Sequence, residues 1–150
     1  MNKEIKSILK ERILVLDGAM GTMIQEYKLS EADFRGELFK EHPKSLKGNL
    51  DILSLTQPKV IEAIHRKYLE VGADIIETNT FSSTVIAQAD YGLQGHVWDL
   101  NVASASIARK VCDEFNALTP DKPRFVAGSI GPTNQTASLS PNVNDPGFRA

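Results

Sequence analysis

Three short segments carry the residue types from which a site for a small charged molecule could be built. The first is Asp17-Gly18-Ala19-Met20-Gly21-Thr22. Glycine leaves main-chain amides open to close approach, so these N–H groups could hold a carboxylate while Asp17 faces an ammonium, and an amino acid carries both charges. The structural alternative is that Asp17 caps a following helix and Gly18 makes a tight turn. The segment matches a dinucleotide site poorly, because its spacing is G-x-x-G and not G-x-G-x-x-G.

The second segment is Glu77-Thr78-Asn79-Thr80-Phe81. In an extended chain, alternation sends Glu77 and Asn79 to one side and Thr78 and Thr80 to the other. A glutamate near a sheet interior is costly unless paired, so Glu77 is either a working charge or half of a structural ion pair. In the third segment, Gly128-Ser129-Ile130-Gly131-Pro132-Thr133-Asn134, the two glycines open space for a ligand or for close backbone packing. The remaining candidates are weaker. His65 reads as a partly exposed helix residue, His42 and His96 fall in turns, Cys112 reads as a packed thiol, and Trp98 as an anchor for its helix.

These segments end runs that read as buried strands. Ile13-Leu14-Val15-Leu16 stops at Asp17, Ala73 to Thr80 is apolar in its middle, and Arg124 to Ile130 stops at Gly131. Helical patterns lie between them. Thr56 is placed to cap, Pro58 suits a first turn, and Val60, Ile61, Ile64, Tyr68 and Val71 recur at helical spacing until Gly72. Shorter helical stretches are expected at 20–27 and 83–91, and a long one at 97–117 whose stripe is Leu100, Ser104, Ile107, Val111 and Leu118. Residues 28–51 read as a long polar insertion, and the segment after Thr133 as loop.

Strands alternating with helices imply an α/β fold with parallel pairing. An open doubly wound sheet and a (β/α)8 barrel both fit. The barrel is favoured because all three strands end in polar or glycine-rich segments, and a barrel gathers its chemistry at many strand ends. A barrel needs about 250 residues, so the 150 residues here are expected to form its N-terminal part, about three β/α units.

Composition narrows the function classes. Seventeen Lys and Arg against nineteen Asp and Glu give a net charge of −2, with 41% hydrophobic and 24% charged residues. That balance argues against a disordered chain and against a nucleic-acid binder. A single cysteine makes no internal disulfide and no zinc site built from cysteines alone. The charged N-terminus and the lack of about 18 consecutive apolar residues predict neither a signal peptide nor a membrane span, which makes the cytoplasm the expected location.

The strings ILVLDGAMGTMIQ, FRGELF, LKGNLDILSLTQP, GADIIETNTFSST, IAQADYGL and RFVAGSIGPTNQTASLSPNV, in this order, resemble the homocysteine-binding module of cobalamin-dependent methionine synthases, within the homocysteine S-methyltransferase family. The resemblance covers about Arg12 to Arg149. It implies a methyltransferase of methionine biosynthesis whose module is a TIM barrel. There, zinc held by three cysteines binds the homocysteine thiolate, methylcobalamin methylates it, and methyltetrahydrofolate remethylates the cofactor. Zinc serves by lowering the thiol pKa.

The same resemblance implies that Asp17 and the backbone of Gly18, Ala19, Met20 and Gly21 grip homocysteine. Glu77, Asn79, Thr80 and Phe81 would form the neighbouring wall, and Gly128 and Gly131 the same mouth. The chain has Ala19 where the family more often has glycine, and Leu50 where it more often has asparagine. The zinc cysteines are expected downstream of Ala150, as are the rest of the barrel and the folate, cobalamin and activation modules. The segment alone is accordingly expected to be inactive, to bind no cofactor and to self-associate or fold poorly. Two alternatives remain: a cobalamin-independent homocysteine methyltransferase using a sulfonium or betaine donor, and a non-catalytic α/β module that binds an anion or nucleotide.

Overall fold

The computed structural model describes residues 5–133, 144, 145 and 147; the loop expected after Thr133 and Asn134 itself lie largely outside them. Among the described residues, seven helices and two strands follow in the order α1 (Ile5–Ile8), α2 (Met20–Gln25), α3 (Glu31–Arg35), α4 (Leu53–Thr56), α5 (Pro58–Glu70), β1 (Ile75–Glu77), α6 (Val85–Ala89), α7 (Val97–Leu118) and β2 (Phe125–Ala127). Short 3-10 turns at Leu50–Ile52 and Gln94–His96 lead into α4 and α7. Among the described residues, no helix is long and apolar enough to cross a membrane.

This is a mostly helical domain with a small open sheet, which corrects the expected three-unit portion of a TIM barrel. β1 and β2 pair in parallel, Ile75 with Phe125 through Glu77 with Ala127. The segment expected as the first strand adds only one parallel bridge, Leu16 to Ile75. A parallel strand is stabilised by helices on both faces and neighbours on both edges. Ile13, Val15 and Leu16 lack that cover and are 87%, 55% and 49% exposed. What fixes this segment is polar: Arg12 makes a two-pronged contact with the carboxylate of Asp74 at 2.7 and 2.8 Å, and Val15 N–H donates to the same carboxylate. The Arg12 guanidinium holds Asp74 below the usual carboxylate range.

α5 and α7 pack on one another and carry the core. Pro58 opens α5, since its missing N–H is needless in a first turn. Ile61, Ile64 and Leu69 are buried along one face, and Gly72 turns the chain at φ +109° into β1. Thr56 does not cap α5. Its hydroxyl donates back to Ile52 O at 3.3 Å, and Gln57 occupies the cap position without a side-chain bond. On α7 the buried stripe is Leu100, Ser104, Ala108, Val111 and Cys112, while Leu118 is exposed.

Three further expectations are corrected. The 28–51 segment is no polar insertion: it contains α3 and buries Phe34, Phe39 and Leu46. Its turns close around two side chains. Glu31 accepts from Ser45, Leu46 N–H, Lys47 N–H and Arg35, which pull its pKa down to about 2, and Arg35 donates to the carbonyls of His42 and Lys44. Trp98 is 78% exposed and is not the buried anchor expected of it. His65 is fully buried, with neither ring nitrogen hydrogen-bonded among the described residues. Cys112 is buried against β2, its thiol 3.5 Å from Phe125 O, and burial pushes its pKa up to about 11, as suits a packed thiol.

Candidate functional site

A cavity of about 550 Å³ opens where β1 and the Ile13–Leu16 segment reach their carboxyl ends. Asp17, Gly18, Ala19, Met20, Gly21, Glu77, Asn79 and Phe81, all expected at a site from the sequence, line it together. Thr80 does not. Its hydroxyl lies 2.6 Å from that of Thr78, which does line the cavity, and donates to Ser129 O at 2.8 Å. Gly128 and Gly131 do not line the cavity, and Ser129 between them does.

The Asp17 turn is joined to β1. Asp17 N–H donates to Ile75 O, and its Oδ2 accepts the backbone N–H of Glu77 at 3.0 Å. Its Oδ1 is buried with no hydrogen-bond partner among the described residues. Burial therefore pushes the Asp17 pKa up to about 6, the Glu77 N–H pulling it back and the Glu77 charge adding to the rise. Ala19 sits at φ −61°, an ordinary extended conformation, so this backbone does not require glycine there. No side chain caps α2, which leaves first-turn amides beside Asp17 without that partner.

Asn79 spends both amide hydrogens on the protein, donating to Leu50 O at 2.9 Å and to Ser54 Oγ at 3.2 Å. Its backbone carbonyl accepts from the Ser104 hydroxyl, and Ser104 and Ser54 share a 2.6 Å contact. It is thereby a brace between the cavity wall, α4 and α7. Close fits shape the other sides. A Cβ at Gly21 would stand 3.1 Å from Leu50, and one at Gly18 3.2 Å from the Tyr68 hydroxyl.

Gly131 fits closest: a Cβ there would stand 2.5 Å from Phe81 O, and its N–H donates to that carbonyl. Gly131→Ala is expected to lower stability by about 1–3 kcal/mol, the usual cost of forcing an extra methyl group into packed structure. A urea denaturation series measures it, and an unchanged midpoint would mean that the Phe81 backbone yields freely.

Sequence reasoning missed Thr78 and Ser129, and with them Gly48, Asn49, Leu50, Asp51, Ser82 and Tyr91, which complete the lining. Asn49 and Gln88 are buried and exchange amide hydrogen bonds at 2.8 and 3.3 Å, and Gln88 also donates to Ser82 O. The available signal was an aspartate set directly against the apolar run Ile52-Leu53, a position that needs donors. Among the described residues, those lining the cavity include three carboxylates, Asp17, Asp51 and Glu77, and no lysine, arginine or histidine.

The model of the family described as homocysteine S-methyltransferase matches residues 14–149. Among solved structures, the chain is similar to the homocysteine methyltransferase MmuM from Escherichia coli. The oxidized form shows 27% identity and a TM-score of 0.66 over 87% of this chain and 41% of that one. The metallated form shows 26% identity and a TM-score of 0.65 over 85% and 41%. The chain thus spans about 41% of the length of these solved relatives.

These likenesses overturn the narrower expectation of a cobalamin-dependent methionine synthase. With that expectation fall methylcobalamin as donor and methyltetrahydrofolate as its source. Among the described residues, no three His, Cys, Asp or Glu side chains come together to hold a metal.

Proposed function

The chain belongs to the homocysteine S-methyltransferase family, and from that premise we propose that its cavity binds homocysteine for a methyl transfer that does not use cobalamin. The observation that carries this reading is the cavity's charge pattern: three carboxylates and no cationic side chain among the described residues. Such a pocket favours ligands that bring positive charge. Homocysteine brings an ammonium for Asp17, and its carboxylate is suited to the amides of the Gly18 to Gly21 turn. Glu77, Asn79 and Phe81 stand as the neighbouring wall.

The same acidity suits a methyl donor that is a sulfonium or a quaternary ammonium. In the transfer, the homocysteine sulfur, relieved of its proton, forms the new S–CH3 bond. The bond from the methyl carbon to the donor's cationic sulfur or nitrogen breaks, its electron pair stays on that atom, and the donor leaves with one positive charge fewer.

Isothermal titration of the chain with L-homocysteine tests the reading. Saturable one-to-one binding, competed by L-methionine, is expected. Absence of any binding heat overturns it, and tight binding of ATP in its place favours the non-catalytic anion- or nucleotide-binding module.

A further inference from the structure

A carboxylate removed from water must find donors for both oxygens or remain costly. Asp51 is 4% exposed, and only half of it is provided for. Its Oδ2 accepts the backbone N–H of Ser82 at 2.8 Å and the hydroxyl of Ser83 at 2.7 Å. Its Oδ1 accepts no hydrogen bond from any described residue. Asp51 lines the cavity, and among the described residues no cationic side chain lines it to face that oxygen.

The wall that carries Asp51 is not free to swing toward another partner. Asn49 is locked to Gln88, the carbonyl of Leu50 is held by Asn79, and the carbonyl of Ser83 is held by Asn101 at 2.9 Å. One oxygen is fixed and the other takes no bond from the described residues of the cavity that Asp51 lines, so a ligand entering that cavity is the donor left to supply it. A thiol is a weak donor and leaves the charge uncompensated. An ammonium supplies both a strong hydrogen bond and the opposite charge.

We infer that Asp51 is a second ligand-binding carboxylate of the cavity, whose Oδ1 accepts a hydrogen bond from the ammonium group of the amino-acid ligand. This rests on the homocysteine reading and deepens it. Burial raises the Asp51 pKa while the Ser83 and Ser82 donors oppose the rise, so a cation arriving at Oδ1 adds to what already keeps the group ionised.

The test sets two probes against one variant. Homocysteine carries the ammonium, and 4-sulfanylbutanoate is the same molecule without it. Asp51→Asn keeps an acceptor for Ser82 and Ser83 but removes the charge. It is expected to weaken homocysteine binding by about tenfold or more, and to leave 4-sulfanylbutanoate within about twofold of the parent protein. Equal losses for both probes would make Asp51 a purely structural residue and overturn the inference. So would a parent protein that binds both probes equally. A parent protein that binds neither overturns the homocysteine reading itself, and this inference with it.

Should the variant fail to fold, carbon-13 NMR of the unaltered protein decides. The side-chain carboxyl signal of Asp51 must shift on adding homocysteine and not on adding 4-sulfanylbutanoate; a signal unmoved by homocysteine at saturation overturns the inference.

Discussion

His65→Leu is expected to raise stability by about 2 kcal/mol at pH 7, and to widen that advantage by about 3 kcal/mol as the pH falls to 4. The first figure comes from two buried ring nitrogens without partners among the described residues, each side of the imidazole forgoing a hydrogen bond that water supplies in the unfolded chain. Leucine is of similar bulk, has no polar atom and joins a helix face already made of Ile61, Ile64 and Leu69. The second figure follows from linkage. Burial pushes the His65 pKa down to about 4 from its ordinary 6.5. A histidine whose folded pKa is lowered contributes most above the unfolded value, where both states are neutral. As the pH drops from about 6.5 toward 4, the unfolded chain takes up a proton that the folded chain refuses, and stability falls. Each unit of difference is worth about 1.4 kcal/mol.

Asp17 acts in the opposite sense, because its folded pKa is raised and acidification toward 4 relieves a buried charge. Comparing parent and variant cancels that contribution and isolates His65. Urea denaturation at pH 7, 5.5 and 4 measures the difference. A constant gap between the two proteins would show that His65 is reached by water, and a variant less stable than the parent would show a partner for its ring.

His65 also marks a limit of the sequence reading. Lying between Ile64 and Arg66, it sits at the edge of the apolar stripe of α5, and periodicity does not reveal whether a neighbouring helix closes over that edge. Here α7 packs on α5, and α7 was legible only as a stripe without a docking angle. The cavity's first wall was far more legible. Alternation in an extended chain has period two and put Glu77 and Asn79 on one side, though Thr78 lines the cavity with them and only Thr80 is left off it. The opposite wall depends on contacts between Asn49 and Gln88 and between Asp51 and Ser83. Those pairs are more than thirty residues apart, and only folding brings them together.

The expected barrel failed for a related reason. Ile13 to Leu16 has the composition of a strand buried on both faces, but composition cannot supply the covering layers, and Ile13, Val15 and Leu16 stand exposed. The 28–51 segment erred the other way. Its charges suggested a solvated loop, yet Glu31 and Arg35 spend theirs on backbone groups and so allow Phe34, Phe39 and Leu46 to turn inward.

Asp17→Asn is expected to weaken homocysteine binding by about tenfold to a hundredfold while raising the unfolding midpoint at pH 7, two effects of opposite sign from one atom exchange. Asparagine still accepts the Glu77 N–H through its carbonyl oxygen, so the turn keeps its tie to β1. What is lost is the charge. Without a cation beside it that charge is a burden: a carboxyl with a raised folded pKa favours folding fully only below about 4, and the advantage is gone once the pH has risen past about 6. At pH 7 the parent protein holds an ionised Asp17 with Glu77 close by and no cation among the described residues lining the cavity, and the amide removes that penalty.

A ligand ammonium reverses the balance, because it turns the disfavoured charge into half of a charge-assisted hydrogen bond, worth about 1.5–3 kcal/mol and hence the stated loss of affinity. The pH profile supplies a second, independent reading. Homocysteine's ammonium and carboxylate do not titrate between pH 5 and 7, whereas Asp17 does. Affinity of the parent protein should therefore decline as the pH falls below about 6, and the variant's weaker binding should decline less. Titration calorimetry at pH 7, 6 and 5, with thermal unfolding of both proteins at pH 7, measures all three quantities. A variant that binds as tightly as the parent takes Asp17 away from the ligand, and one that loses stability shows that its charge is already compensated by the protein.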